Sequence, residues 1–84
     1  MNKIKSKELK LRKFSRKFIN KFIQNINDKI FNKEYYFDTK NKIIYIILKS
    51  KNKLYNINLK YNINKKNKNL IIEKYKISLY NLNS

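Results

Sequence analysis

The hydrophobic pattern changes period once along this chain, and that change limits the fold more than any other feature. Over residues 6–31 the apolar positions Leu11, Phe14, Phe18, Ile19, Phe22, Ile23, Ile26 and Ile30 recur every three or four residues. That spacing places them on one stripe of a 3.6-residue helix. After Asn32 the period falls to two. Tyr55, Ile57, Leu59, Tyr61 and Ile63 alternate with Asn56, Asn58, Lys60 and Asn62, as in a strand with one covered face and one wet face. A chain that is first helical and then extended belongs to the α+β class. The pattern predicts one long N-terminal amphipathic helix packed on a four-stranded antiparallel meander.

The boundaries follow from local chemistry. Ser6 suits an N-cap, and Glu8 suits the first turn, where the helix dipole favours an acid. Asn32 is placed to cap the C-terminus in the absence of Gly. Strands are expected over residues 35–37, 42–49, 54–64 and 70–82. The second is apolar on both faces, as a central strand is. In the last, Ile71, Tyr75, Ile77 and Leu79 alternate on one face, while Leu70, Ile72, Tyr80 and Leu82 fall on the other. That change of phase predicts a bulge or strand end near Glu73 or Asn81. Each link contains Asn, the non-Gly residue that best tolerates positive φ. The 84 residues form a single small basic domain, 1–84, with no repeat and no linker. A domain of this size buries roughly 60–65% of its unfolded surface, so its core is thin. Phe18 is expected in that core, where truncation to Ala costs ~3–5 kcal/mol.

The second constraint is charge. Lys and Arg number 22, Asp and Glu five, and the formal net charge is +17. Such a chain repels itself when compact. Laid against a polyanion, it releases condensed counterions and is relieved of that repulsion. The missing Gly, Pro, Trp, Ala and Val, and the abundance of Lys, Asn, Ile and Tyr, indicate an AT-rich genome. That coding bias inflates Lys, but it explains the scarcity of acids less well.

Absences exclude chemistry. Without Cys there are no disulfides or thiolate metal sites. Without His there is no Ser-His-Asp triad and no common neutral-pH base. The five carboxylates, Glu8, Asp28, Glu34, Asp38 and Glu73, lack the spacing of a metal cluster, and Gly-rich phosphate loops are impossible. No cofactor, no metal and no small-molecule substrate are expected. The longest apolar run, from Ile43 to Leu48, is far below the ~20 residues of a membrane span.

Two groups of cations form the expected nucleic-acid surface. Lys10, Lys13, Arg16, Lys17 and Lys21 cluster opposite the apolar stripe of the helix. Lys65, Lys66 and Lys68 lie in the polar loop of residues 64–69. The bland readings are a solvated helix face and an ordinary turn. Among the tyrosines, Tyr55 and Tyr61 share a face with Ile57 and Leu59 and are expected in the core. Tyr36, Tyr45 and Tyr80 are better placed for exposure and base stacking.

The leading functional expectation is a structural RNA-binding protein, ribosomal or ribosome-associated and encoded by an AT-rich organelle genome. It would neutralise rRNA phosphates inside the organelle, with ribosomal proteins as possible neighbours. Alternatives are a DNA-binding accessory protein of an AT-rich bacterium, plasmid or phage, and a subunit held in a protein complex by its apolar helix face. The enzymatic alternative is a ribosome-dependent endoribonuclease toxin using Tyr75, Lys76 and Tyr80. The N-terminal 22 residues also have the basic, amphipathic character of a mitochondrial presequence. Two short segments, Asn58-Leu59-Lys60-Tyr61 and Tyr75-Lys76-Ile77-Ser78, resemble the sheet region of a small-subunit ribosomal protein family. The functional expectation does not rest on them.

Overall fold

The helix stops where its side chains begin to compete with it. The computed structural model describes the backbone of residues 3–82 and the side chains of residues 8–82. Helix α1 spans Lys3–Asn25, six residues short of the expected end. Ile26 and Ile30 keep the helical spacing, but Asn25, Asn27 and Asp28 interrupt it. Their short polar groups bond nearby backbone and favour helix ends. Asn25 Nδ2 donates to the Lys21 carbonyl at 3.0 Å and closes the last turn. Ser6 is inside the helix rather than at its cap, and its side chain lies outside the described ones. Glu8 falls beyond the first turn, and Asn32 belongs to a strand.

Four strands follow: β1 (Ile30–Asp38), β2 (Ile43–Ser50), β3 (Lys53–Ile63) and β4 (Leu70–Asn81). They form one antiparallel meander in the order β1-β2-β3-β4. The fold is therefore α+β, with one N-terminal helix on a four-stranded antiparallel sheet. Strand β1 is longer than its sequence announces. It is an edge strand, and Asn32, Lys33 and Glu34 obscure its alternation. Its register shifts between Ile30 and Asn32, and the intervening Phe31 stands exposed.

The core lies between α1 and the middle of the sheet. Leu11 and Ile19 of α1 meet Ile44, Ile46 and Leu48 of β2 and Tyr55, Ile57, Leu59 and Tyr61 of β3. Each buried aliphatic side chain contributes about 1.5–3 kcal/mol. The helix centreline also buries Ser15, which sequence periodicity left off the stripe. Its hydroxyl donates to the Leu11 carbonyl, so the buried polar group is satisfied within its own helix. Phe14, Phe18 and Phe22 flank this line and are only half-buried. Phe18 meets the edge of the exposed Tyr75 ring, with centroids 5.5 Å apart. It is therefore a border residue of the core rather than its centre.

One polar contact fastens the helix exit to the sheet. Tyr55 Oη donates to Asp28 Oδ2 at 2.7 Å, while Phe22 packs edge-on against the Tyr55 ring at 5.7 Å. Burial, reinforced by the neighbouring Asp28 carboxylate, pushes the Tyr55 hydroxyl up to about 12. The same hydrogen bond holds Asp28 below the ordinary carboxylate range.

The expected phase change in the last strand is a bulge at Glu73. Lys60 pairs with Lys74 and Tyr61 with Ile72, leaving Glu73 without a counterpart. Leu70 and Ile72 thereby join Tyr75, Ile77 and Leu79 on the helix side, and Ile71 moves to the side of Tyr80. The turns differ from expectation. Positive φ occurs at Lys42 (57°) and Lys68 (63°), not at Asn. The asparagines tie the turns with their side chains instead. Asp38 Oδ1 accepts from the Asn41 N–H, Asn64 Oδ1 from the Lys66 N–H, and Asn67 Oδ1 from the Asn69 N–H. The acceptor is Asp38 in the first turn and Asn64 and Asn67 in the last, and in both the left-handed position falls to a Lys.

Candidate nucleic-acid interface

The sheet register and the helix phase together create a basic seam. Lys10, Lys13, Arg16 and Lys17 of α1 line a groove of about 710 Å³, closed on its other side by Asn69 and Leu70. The groove continues along the helix as a second concavity, where Lys17 and Lys21 face Ile72 across Phe14 and Phe18. At the opposite end Lys10 Nζ donates to the Lys68 carbonyl at 3.3 Å. The helix stripe and the loop, two separate expectations from sequence, thus meet through Lys10 and Lys68. Lys65 and Lys66 do not join them. They stand exposed at the loop tip and are not among the side chains lining the groove. No acid lines either concavity.

The acids elsewhere are engaged by neutral donors. Glu34 accepts from Asn32 Nδ2 at 3.2 Å and from Tyr36 Oη at 2.7 Å. Asp38 accepts from both amide groups of Asn41, which hold its carboxyl below the usual range. Glu73 accepts from Asn62 Nδ2 at 3.2 Å, and Asp28 from Tyr55. Amides and phenols thus occupy four of the five acids, and the excess positive charge faces outward.

The two arginines separate. Arg16 lines the groove, whereas Arg12 turns to β1 and stacks over Phe37 at 5.5 Å and Tyr35 at 6.0 Å. Burial raises the Tyr35 hydroxyl, opposed by the nearby charges of Arg16 and Arg12. Arg12 is thus half a packing residue.

The tyrosines divide as their alternation implies. Tyr55 and Tyr61 are buried, and Tyr36, Tyr45 and Tyr80 are exposed. Exposure of Tyr75 was missed, because it shares a face with core residues. It lies on the edge strand β4, where Phe18 of α1 meets its ring but leaves more than half of the residue exposed. Tyr75 faces the helix side, paired with Leu59, while Lys76 and Tyr80 face the open side, paired with Asn58 and Leu54. At the sheet edge Tyr75 still reaches the cavity that Lys76 lines, and Tyr80 does not. Among the described residues no three His, Cys, Asp or Glu side chains gather into a metal-binding group. No helix there is long and apolar enough to cross a membrane.

Sequence reasoning also missed a second basic cluster, Lys60, Lys74 and Lys76, on the open side of the sheet. Their alternation was legible, but their juxtaposition depends on the β3–β4 register and the Glu73 bulge. The chain matches no protein-family model, no curated protein and no solved structure. The eight-residue likeness to a ribosomal protein sheet therefore gains no support.

Proposed function

We propose that this chain is a structural nucleic-acid-binding protein that uses the seam between α1 and β4 as a phosphate track, with ribosomal RNA as its polyanion. The observation that carries the reading is the acid-free groove lined by Lys10, Lys13, Arg16 and Lys17 and continued by Lys21. From Lys10 to Lys21 the helix rises about 16 Å, long enough to follow several phosphates. Lys supplies point charges and Arg16 a bidentate fork. The thin one-sided core gains stability when a polyanion binds only the folded state. A ribosomal or ribosome-associated role in an AT-rich organelle fits both the charge and the codon preference.

The test is retention of the purified chain on structured rRNA fragments and on duplex DNA at matched salt. Replacement of Lys13, Arg16 and Lys17 together by Glu should abolish most RNA affinity, and the variant should melt like wild type. Equal affinity of wild type and variant overturns the seam as the contact surface. Stronger binding to duplex DNA than to RNA assigns the chain to a DNA-accessory role instead.

A further inference from the structure

The open side of the sheet holds a pocket that the seam does not use. Register aligns Ile43, Lys60 and Lys74 in one row across β2, β3 and β4, and Tyr45, Asn58 and Lys76 in the next. These six residues, together with Tyr75, line a cavity of about 460 Å³, within the ordinary size range of small-ligand sites. Tyr36, the β1 partner of Tyr45, extends the second row.

Three features of the pocket complement three parts of one nucleotide. Tyr45 offers an exposed ring at one wall. Lys60, Lys74 and Lys76 supply cations. Lys60 spends one N–H on the Asn41 carbonyl at 3.1 Å, and an ammonium carries three. At the floor, Asn58 Oδ1 is buried and has no hydrogen-bond partner. Orphaned buried acceptors are uncommon and costly, and a turn of the Asn58 amide about its soft terminal torsion presents this one to the cavity that Asn58 lines. The acids on this side are engaged elsewhere: Asp38 by Asn41, Glu34 by Tyr36 and Glu73 by Asn62.

We infer that this pocket takes one unpaired nucleotide of a single strand, with its base laid against Tyr45, a base-edge N–H donated to Asn58 Oδ1, and the flanking phosphates held by Lys60, Lys74 and Lys76. The inference rests on the nucleic-acid reading above and adds a second contact on the opposite side of the sheet from the seam. Aromatic stacking beside a cationic track is how single strands are held with little sequence preference. A duplex keeps its bases stacked and paired, and so leaves this pocket empty.

The experiment compares a labelled ten-nucleotide unstructured RNA with its perfect duplex by fluorescence anisotropy at low salt, using the full chain. Tyr45→Leu and Asn58→Leu should each weaken single-strand binding at least about fivefold, the scale of one lost stack or base contact. Duplex binding should be unchanged. The Asn58→Leu protein should melt no lower than wild type, since it loses an orphaned acceptor, and a purely structural role for Asn58 predicts the reverse. The exposed pair Lys74→Gln and Lys76→Gln should reduce the single-strand salt dependence even if Tyr45→Leu folds poorly. Wild-type single-strand affinity in all these variants overturns the pocket while leaving the seam intact. Failure of the unmodified chain to bind either RNA overturns both.

Discussion

Strands β2 and β3 present opposite chemistries on their two sides. Toward α1, Ile44, Ile46, Leu48, Ile57 and Leu59 are wholly buried. One residue away, on the open side, the same strands carry Tyr45, Asn56, Asn58 and Lys60. A period of two separates them so cleanly that a single-residue slip would exchange core for surface. The helix side specifies the fold with buried aliphatic residues. The open side keeps Ile43 and Ile47 half-buried on β2 and carries tyrosine, amides and cations alongside them on these two strands. Stability and the proposed recognition therefore fall on alternate residues of one segment, and variants can separate them.

The sharpest way to break that comparison is Ile19→Ala, in the centre of the α1 stripe. It should cost about 2–5 kcal/mol in denaturant unfolding. Phe18→Ala, one residue away, should cost only ~1–2 kcal/mol, because its ring is half-buried and meets the exposed Tyr75. Equal losses at the two positions would place the helix in a different phase from the one described.

The polar anchor gives a pH-dependent effect of middle size. Asp28 is held below its ordinary value of 3.8, chiefly by the Tyr55 hydroxyl. Its contribution is present above that value and disappears as pH falls through the lowered one. Tyr55 is pushed up to about 12, so its contribution is intact below about 10 and is lost as pH rises through about 12. Asp28→Asn should flatten the acid limb of the urea midpoint relative to wild type. Ultraviolet titration should show one tyrosine ionising near 12, later than a free phenol, and Tyr55→Phe should remove it.

The smallest effect tests a turn. Lys42 holds φ at 57°, where a Cβ costs roughly 1–2 kcal/mol and Gly costs none. Lys42→Gly should raise stability by up to ~1 kcal/mol, after the greater unfolded-state entropy of Gly is subtracted. Both sheet faces should remain unchanged.

Much of this architecture is legible in the residues. The helix stripe, the β3 alternation and the phase change at Glu73 each follow from spacing, and spacing is set by backbone geometry. What is not legible depends on neighbours. Ile26 and Ile30 continue the helical pattern, yet Ile30 pairs with Ser50 as the first residue of β1. The Asp28–Tyr55 bond joins residues 27 apart in sequence, and no local pattern announces it. Ser15 is not among the apolar positions of the stripe, and its burial depends on where the sheet meets the helix. Of the expected contact residues, Lys10, Lys13, Arg16, Lys17 and Lys21 share a helix face and could be grouped by phase alone. Their junction with Lys68, and the gathering of Lys60, Lys74 and Lys76, required the register.

The central claim is that the seam cations neutralise phosphates, and the slope of binding affinity against salt concentration measures this most directly. Five seam cations, each releasing about 0.9 counterion on a duplex region, predict a log–log slope of about −4.5 for a structured RNA. The Lys13, Arg16 and Lys17 charge reversal should bring that slope to about −2 or shallower. A slope near zero in the wild-type chain, or the same steep slope after charge reversal, would contradict the account.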